Sequence, residues 1–300
     1  MRKTLRKLIT KYPLLKSKYY LIKSQYYQRF DDEEIIIKTF KKRLGYSPEL
    51  QNPVTFNEKI QWLKLNWYDS NVVKLADKYR VRDYVKEKCG EQYLNELYDV
   101  YENVNEINLA QLPNQFVLKV THGSGFNVIC KDKKEVNWNE KFKLLETWMK
   151  INYYSINREW VYKDIKPKII CERYLSDTEP GGIKDYKFFC FNGVPKYIQV
   201  DSERFIDHKR NMYDCNWNRI PVDYIYPRTE ELDEKPSKLE EMMEVAKKLS
   251  NGFPFVRVDL YFTQNKIYFG EMTFFPEAGF GKFKPEKYDK IFGEQLILPK

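Results

Sequence analysis

The most constraining feature of this sequence is a pair of strand-like segments near its C-terminal end, residues 255–262 and 266–273. Both are rich in β-branched and aromatic residues, which favour strands. A three-residue loop at 264–266 would join them as an antiparallel hairpin and set Asp259 directly opposite Glu271. Because strand side chains alternate between faces, the two carboxylates would share one face of this hairpin.

Two facing carboxylates in an otherwise apolar hairpin need a compensating cation. Like charges opposite each other across a ladder destabilise it, and Mg²⁺ is commonly held by one or two carboxylates together with substrate phosphates. The same register sets Arg257 opposite Thr273, on the same face. The hairpin therefore indicates a magnesium site beside an arginine. A surface hairpin with solvated acids is the alternative.

The composition indicates a folded protein in a reducing compartment. Aromatic residues make up 16% of the 300 residues, which argues against disorder, and no run of about eighteen apolar residues predicts a transmembrane helix. The first 30 residues lack the apolar core and cleavage site of a signal peptide. The five cysteines are scattered without a Cys-x-x-Cys pair, which favours neither zinc nor disulfides and fits the cytoplasm.

The excess of positive charge belongs to the N-terminus. Residues 1–30 contain nine Lys and Arg residues and no acid, whereas the remaining residues contain 43 of each charge. Apolar residues recur in this tail at roughly helical spacing: Leu5, Leu8, Ile9, Tyr12, Leu15, Tyr19 and Ile22. A basic amphipathic helix can lie on an anionic membrane surface, dock an acidic protein, bind nucleic acid or pack on the body. We expect no nucleic-acid partner, because the rest of the chain has no excess of basic over acidic residues.

Local patterns predict a largely helical first hundred residues followed by antiparallel strands. The predicted helices, from apolar periodicity and glycine stops, are 31–44, 57–65, 72–89 and 139–151. The predicted strands are 116–120, 128–130, 168–172, 185–191 and 195–200, the last two joined at Asn192-Gly193. A turn is predicted at 180–182. The clearest helix is 237–251, where Ser237 and Glu240 form a predicted capping box.

Lys119 interrupts an otherwise apolar strand four residues before a glycine-rich loop, Gly123-Ser124-Gly125. A lysine in such a position usually has an anionic partner, and a Gly-Ser-Gly turn can point backbone N–H groups at a phosphate. The lysine and the loop together predict a phosphate site. A tight turn beside an edge lysine is the alternative, because the loop is neither a Walker loop nor a dinucleotide fingerprint.

Further polar residues lie at the ends of the following strands. Glu172 ends the strand 168–172, and Asp185 and Lys187 open the next one. The two acids are candidates for an amino group or ribose hydroxyls, and Lys187 is a candidate for a phosphate. Taken singly, each is ordinary polarity at a strand end.

The order of these motifs along the chain is more informative than any one of them. A strand lysine, a glycine loop and a strand ending in an acid precede Asp-x-Lys, Arg-x-Asp and Glu-x-Thr strands. In this order the sequence resembles the ATP-grasp superfamily, and in particular its TupA-like branch, tied to teichuronopeptide and surface-polysaccharide biosynthesis. The resemblance spans roughly residues 45–285 and rests on Asn57-Glu-Lys-Ile-Gln-Trp-Leu-Lys, Asp77-Lys-Tyr-Arg-Val-Arg, Phe116-Val-Leu-Lys-Val-Thr-His-Gly-Ser-Gly, Asp185-Tyr-Lys-Phe-Phe-Cys-Phe-Asn-Gly and Val256-Arg-Val-Asp-Leu-Tyr.

This resemblance implies an α+β, ATP-grasp-like fold in which two α+β lobes with antiparallel sheets clamp a nucleotide cleft. A mainly helical N-terminal region would precede them, where superfamily members usually have an α/β substrate domain. The implied boundaries are a basic amphipathic tail at 1–30, the helical region at 31–112, a small lobe at 113–176 and a large lobe with the metal site at 177–300.

The resemblance also implies how ATP would be bound. Lys119 and Lys187 would hold the α- and β-phosphates, and the loop from His122 to Asn127 would close over the β- and γ-phosphates. The hinge would read adenine, and its residues are Cys171, Glu172, Arg173, Tyr174 and Leu175. Either Glu172 or Asp185 would take the adenine amino group or the ribose.

For catalysis, the resemblance assigns Mg²⁺ to Asp259 and Glu271. Thr273 would be a further ligand at a position where many superfamily members have Asn. Arg257 would stabilise the transferring phosphoryl group, with Lys187 as the second catalytic cation.

The implied activity is that of an ATP- and Mg²⁺-dependent carboxylate–amine ligase that forms an amide through an acyl phosphate. Its substrates would be ATP, a uronic-acid carboxylate of a surface polysaccharide or its precursor, and an amino acid or small amine. A polysaccharide glycosyltransferase and a non-catalytic nucleotide-binding protein are the alternatives. Metal-dependent glycosyltransferases commonly hold a sugar nucleotide with an Asp-x-Asp motif, and this chain has none. The basic tail suggests a cytoplasmic protein at the inner face of the membrane.

Overall fold

The computed structural model describes residues 12–175, 183–202 and 208–300, so the predicted turn at 180–182 and tail residues 1–11 lie outside it. The helices are α1 (Pro13–Tyr27), α2 (Asp32–Leu44), α3 (Phe56–Asn66), α4 (Ser70–Ala76), α5 (Val81–Lys88), α6 (Trp138–Met149), α7 (Tyr154–Asn157), α8 (Leu239–Ser250) and α9 (Lys287–Gln295). The strands are β1 (Leu97–Tyr101), β2 (Phe116–Val120), β3 (Asn127–Cys130), β4 (Ile169–Arg173), β5 (Asp185–Phe191), β6 (Val194–Ser202), β7 (Lys209–Asp214), β8 (Arg219–Ile220), β9 (Asp223–Tyr224), β10 (Phe255–Thr263), β11 (Lys266–Thr273) and β12 (Phe283–Lys284).

The chain forms two compact units, each built from three segments. Unit 1 comprises Met1–Ile35, Ser70–Arg80 and Asn95–Tyr174. Unit 2 comprises Ile36–Asp69, Val81–Leu94 and Leu175–Lys300. In the described part of the chain, no helix combines the length and the apolar character needed to cross a bilayer.

Unit 1 contains a four-stranded antiparallel sheet in the order β1-β4-β2-β3. Alternate residues of β2, namely Phe116, Leu118 and Val120, are fully buried and form a core with Leu145 and Trp148 of α6. The edge strand β1 was not predicted from the sequence. It pairs on one side only, with β4, and its short mixed sequence has no clear alternation.

Unit 2 is built on a six-stranded antiparallel sheet in the order β11-β10-β5-β6-β7-β8. Helix α8 packs on one face through its fully buried residues Met242, Ala246 and Leu249. On the other face, Phe56 of α3 lies 5.1 Å from the ring of Phe255, between ring centroids, and covers a cluster of phenylalanines. The α+β architecture with antiparallel sheets and a helical N-terminal region is thereby confirmed.

The polar residues of α3 explain why this early helix belongs to the C-terminal sheet. Asn57 is fully buried, donates to the carbonyl of Gly281 (2.8 Å) and accepts from the backbone N–H of the same residue (3.1 Å). Lys59 donates to the carbonyls of Gly293 and Leu296 at 2.9 and 2.8 Å. Because buried backbone carbonyls need donors, these side chains tie the helix to the end of the chain.

Two local predictions for helices are wrong. The single helix expected at 72–89 is two, α4 and α5, because the Asp77 carboxylate accepts from the backbone N–H groups of Tyr79 (2.8 Å) and Arg80 (3.3 Å) and turns the chain there. Helix α8 begins without a side-chain cap, so the predicted capping box is not formed; Glu240 instead pairs with Lys235 at 2.9 Å.

The hairpin of β10 and β11 has the predicted pairing but not the predicted loop. Asp259 is opposite Glu271, as expected, yet the turn contains only Gln264 and Asn265, both with positive φ (51° and 57°). This two-residue turn alone would place Gly270 opposite Asp259. A β-bulge with Gly270 as the extra residue restores the register and brings Glu271 onto the face of Asp259.

Gly270→Val tests this bulge. A Cβ at this position would lie 3.0 Å from both the Asp259 carbonyl oxygen and a ring carbon of Tyr261. We therefore expect the free energy of unfolding to fall by ~1–3 kcal/mol, measured by urea denaturation. Lys266→Ala, on the exposed end of the same hairpin, should change it by less than about 0.5 kcal/mol. Equal effects of the two substitutions would contradict the bulge.

Candidate active site

One face of the unit 2 sheet gathers seven charged side chains from five adjacent strands. They are Asp185, Lys187, Asp201, Arg210, Arg257, Asp259 and Glu271. All are buried except Glu271, whose side chain is 30% exposed. Charged residues are seldom buried unless they are paired, and the described residues of this face include four carboxylates and three cationic side chains.

At the centre of this charged face, Lys187 lies between two carboxylates. Its Nζ donates to Asp185 on the same strand and to Asp259 on the neighbouring strand β10, the latter at 2.9 Å. Arg257 also binds Asp259, through two parallel hydrogen bonds of 2.7 Å. Bidentate pairs of this kind are strong and directional, so the carboxylate of Asp259 has one defined orientation.

Burial and ion pairing shift the pKa values of these groups in opposite directions. Burial is the largest influence on the Asp259 carboxyl and raises its pKa, while Arg257 and Lys187 act to lower it. For Arg257, burial disfavours the charge, but Asp259 outweighs it and the pKa is raised. For Asp201, burial is likewise outweighed, by Arg210 and Lys187, which hold the pKa well below its usual range.

Glu271 and Thr273 complete the predicted metal-binding set on the same face. Nη2 of Arg257 lies 3.5 Å from Oε1 of Glu271 and donates to the Thr273 hydroxyl at 3.1 Å. That hydroxyl in turn donates to Glu271 at 3.3 Å. Within the described ranges, no group of three or more His, Cys, Asp or Glu side chains is placed to hold a metal ion. The magnesium prediction therefore depends on two carboxylates and one hydroxyl.

Asp201 and Arg210 belong to this face but were not recognised in the sequence. Arg210 binds Asp201 through Nε at 2.7 Å, and Asp201 lies directly opposite Asp185. The Asn192-Gly193 turn alone would place Val200 there. An extra residue, Lys196, shifts the register of β6 and brings Asp201 onto the charged face.

A strained segment follows β11 and was also not anticipated. Glu277 and Ala278 both have positive φ (52° and 54°), which is uncommon for residues other than glycine. Glu277 accepts from Arg210 at 3.1 Å, and the Ala278 carbonyl accepts from Lys64 at 2.6 Å. Strained backbone held in place by several partners is typical of functional sites, so this segment is a candidate substrate contact.

In unit 1, Lys119 has the anionic partner that the sequence predicted. Its Nζ lies 2.7 Å from Oε2 of Glu172 on the adjacent strand β4. The Lys119 side chain is 22% exposed and that of Glu172 is 8% exposed. The lysine is therefore held by a carboxylate at the surface of the sheet, with its ammonium group within reach of solvent.

The predicted phosphate loop lies directly after β2. His122 is buried, and its Nε2 lies 2.9 Å from the carbonyl oxygen of Ile151, to which it donates. Burial lowers the pKa of His122 to about 4, so the ring is neutral and faces the interior. Ser124 and Gly125 form the exposed tip of the loop, and Asn127 at its end is also exposed.

The predicted hinge lies where the chain passes from unit 1 to unit 2, between Tyr174 and Leu175. The N–H of Arg173 donates to the Glu96 carbonyl at 2.9 Å, and its own carbonyl accepts from Asn95 at 2.8 Å. The backbone of Arg173 is thus held by unit 1. Arg173, Tyr174 and Leu175 remain predicted nucleotide-binding residues.

The comparison with protein families decides how this arrangement is classified. The model of the family described as TupA-like ATPgrasp matches residues 58–297, most of the chain. This protein belongs to the TupA-like ATP-grasp family. The charged face, Lys119 and the glycine loop all lie within the matched region of the family, whereas α1 and the basic tail lie before it.

Solved structures similar to this family member include two D-alanine–D-alanine ligases. The enzyme from Bacillus anthracis is 18% identical over 66% of this chain and 56% of its own, with a TM-score of 0.40. The one from Helicobacter pylori is 14% identical over 81% and 69%, with a TM-score of 0.41. The ATP-grasp ligase PsnB is 8% identical over 72% and 57%, with a TM-score of 0.38. The chain thus spans little more than half of the first of these enzymes. No curated protein matches the sequence.

The buried imidazole gives a prediction for pH. Because the pKa of His122 is lowered to about 4 in the folded protein, its NMR signal should not titrate between pH 8 and about 5. The unfolded chain binds a proton near pH 6.5, so this residue makes the free energy of unfolding fall as the pH drops from 6.5 towards 4, by at most ~1.4 kcal/mol per pH unit.

Assignment of the His122 signal comes from its loss in His122→Gln, and urea unfolding of that variant should depend less on pH over the same window. A His122 titration midpoint near 6.5 would contradict the buried, neutral ring.

Proposed function

We propose that this TupA-like ATP-grasp protein is an ATP- and Mg²⁺-dependent ligase that joins a carboxylate to an amine. The observation that carries the proposal is the buried charged face of unit 2. Replacing a buried ionic network by apolar residues is often neutral or stabilising, so such a network is poor evidence of a stability role. A cluster of cations and carboxylates on rigid strands suits the binding of a phosphate and a metal ion.

In this proposal, Lys187 and Arg257 are the cations that face the transferred phosphoryl group. Both are now bound to Asp259, and phosphate oxygens would provide the same acceptors. Because the surroundings are poorly solvated, a fixed cation there stabilises developing negative charge more than it would in water. Arg257, with its planar fork of donors, suits the charge on a phosphoryl group in transfer.

The residues present fit a magnesium ion. Asp259, Glu271 and Thr273 offer hard oxygen donors on one face of the hairpin, which Mg²⁺ prefers. We assign the ion to Asp259 and Glu271, with Thr273 as a further oxygen ligand. When bound, it would offset charge on the phosphate oxygens.

For unit 1, we assign Lys119 to the phosphates of ATP, with the exposed tip at Ser124 and Gly125 providing backbone N–H groups. Glu172 now neutralises Lys119. A phosphate that took the place of this carboxylate beside the lysine would leave Glu172 available to bind an amino or ribose group. The hinge residues Arg173, Tyr174 and Leu175 would contact the base.

The proposed chemistry follows from the weak electrophilicity of a carboxylate. A carboxylate oxygen of the acceptor attacks the γ-phosphorus, and the bond to ADP breaks, which gives an acyl phosphate. The amine nitrogen then attacks the acyl carbon and loses a proton; the C–N bond forms as the C–O bond to phosphate breaks. Cationic groups placed where charge develops supply most of the catalysis in such transfers.

We propose a uronic-acid carboxylate of a surface polysaccharide or its precursor as the acceptor, and an amino acid or small amine as the nucleophile. The support is the resemblance to the TupA-like branch. ADP release should require Mg²⁺, a uronic-acid oligosaccharide and an amine together. Binding of a sugar nucleotide but not of ATP would favour a glycosyltransferase, and ATP binding without turnover a non-catalytic protein.

The metal assignment predicts the effect of removing either carboxylate. Asp259→Asn and Glu271→Gln should each lower kcat/KM for ATP by ~10²-fold or more, and each should raise the Mg²⁺ concentration needed for half-maximal activity. The matched control is Glu244→Gln, an exposed acid on α8 at the opposite side of the sheet. Full activity and unchanged Mg²⁺ dependence in both variants would reject this site.

The phosphate assignment predicts a role for Lys119 in binding. Lys119→Met should weaken the binding of a non-hydrolysable ATP analogue by roughly 10- to 100-fold, the worth of a charged hydrogen bond, as measured by calorimetry. The double variant Lys119→Met/Glu172→Gln avoids an unpaired buried acid and should bind as weakly. Lys143→Met, an exposed lysine of unit 1, is the control. Unchanged affinity in the double variant would reject the assignment.

A further inference from the structure

Helix α1 carries apolar side chains on two opposite sides, and the side that faces the protein also carries two small polar residues. Ser17 and Ser24 are buried against unit 1, and the hydroxyl of Ser17 accepts from the indole N–H of Trp148 at 2.8 Å. The helix packs on α6 and α7 through this side, together with Leu14, Tyr20 and Leu21. Arg158 also binds the carbonyls of Tyr27 and Phe30, so the rotation of the helix about its axis is defined.

The opposite side of α1 carries a continuous exposed apolar stripe. Its members recur every three or four residues and are Tyr12 (50% exposed), which directly precedes the helix, Leu15 (48%), Tyr19 (46%), Ile22 (66%) and Tyr26 (55%). That spacing lines one face of a helix. Exposed apolar residues are ordinary when scattered, but a rimmed contiguous patch marks an interaction surface.

Basic residues flank the stripe on both sides. By helical spacing, Lys16 and Lys23 lie along one edge, and Lys18 lies along the other. Arg29 follows the end of the helix, and no acid occurs before Asp31. Tyrosine favours the boundary between lipid and water, and lysines beside an apolar stripe extend their ammonium groups to anionic headgroups.

We propose that the exposed stripe of α1 is a membrane-binding surface that lies in the headgroup region of an anionic bilayer. The lysines on both edges favour lipid over an apolar groove of another protein, because a bilayer offers negative charge on either side of the inserted stripe. The helix lies in the plane of the interface, with its serine side on unit 1. This inference is independent of the ligase proposal, since α1 precedes the family region.

The experiment is vesicle flotation of the full chain. We expect binding to phosphatidylcholine vesicles that contain phosphatidylglycerol, weaker binding at high salt, and little binding to pure phosphatidylcholine. Ile22→Glu and Leu15→Glu should each abolish flotation, and Lys16→Gln/Lys18→Gln should reduce it roughly fivefold or more per charge. Ile297→Glu, at an equally exposed apolar residue of unit 2 (71%), should float like the wild type.

Thermal unfolding and circular dichroism of each variant should match the wild type, because the changed side chains face solvent. No flotation of the wild-type protein, or equal flotation of Ile22→Glu, would overturn the proposal. A dimer in solution that Ile22→Glu dissociates would also overturn it, by assigning the stripe to a second copy of this chain.

Discussion

The charged face of unit 2 is organised around a single buried ammonium group, that of Lys187, held between Asp185 and Asp259 on the middle strands of the sheet. An unpaired charge at this depth would cost several kcal/mol, so the lysine and its two carboxylates stabilise one another only as a set. Arg257 extends the set along β10 and joins it to Glu271 and Thr273. The registers of at least three strands must therefore bring these oppositely charged side chains onto one face of the sheet.

Two β-bulges set the registers that bring the acids onto this face. The extra residue Lys196 turns Asp201 onto the face of Asp185, and the extra residue Gly270 turns Glu271 onto the face of Asp259. Without either bulge, the corresponding acid would point to the apolar face that packs on α8. A one-residue change of register moves every later side chain of a strand to the other face, so each bulge is a structural requirement of the site.

Helices α1 and α3 both bury polar residues beside apolar ones. In α3, the side chains of Asn57 and Lys59 donate hydrogen bonds to backbone carbonyls of the C-terminal segment. In α1, Ser17 and Ser24 face the protein together with Leu14 and Leu21, while other apolar residues face out. In both helices, hydrogen-bonding partners in the tertiary structure decide which side is buried. An amphipathic pattern alone does not decide the orientation of α1, because leucines lie on both of its sides.

The pairing of Asp259 with Glu271 was predicted, but it depends on the bulge at Gly270, which the sequence did not reveal. The sequence by itself determined the strand hairpins, most helix positions and an anionic partner for Lys119. These depend on local alternation, turn residues and the charges of near neighbours. Only the tertiary structure decided that Glu172 is that partner, that Asp201 and Arg210 join the charged face, that Asp77 splits a helix, and that His122 faces inward. Such features depend on bulges, on side chains that compete for backbone groups and on burial, and these arise only when distant segments pack together.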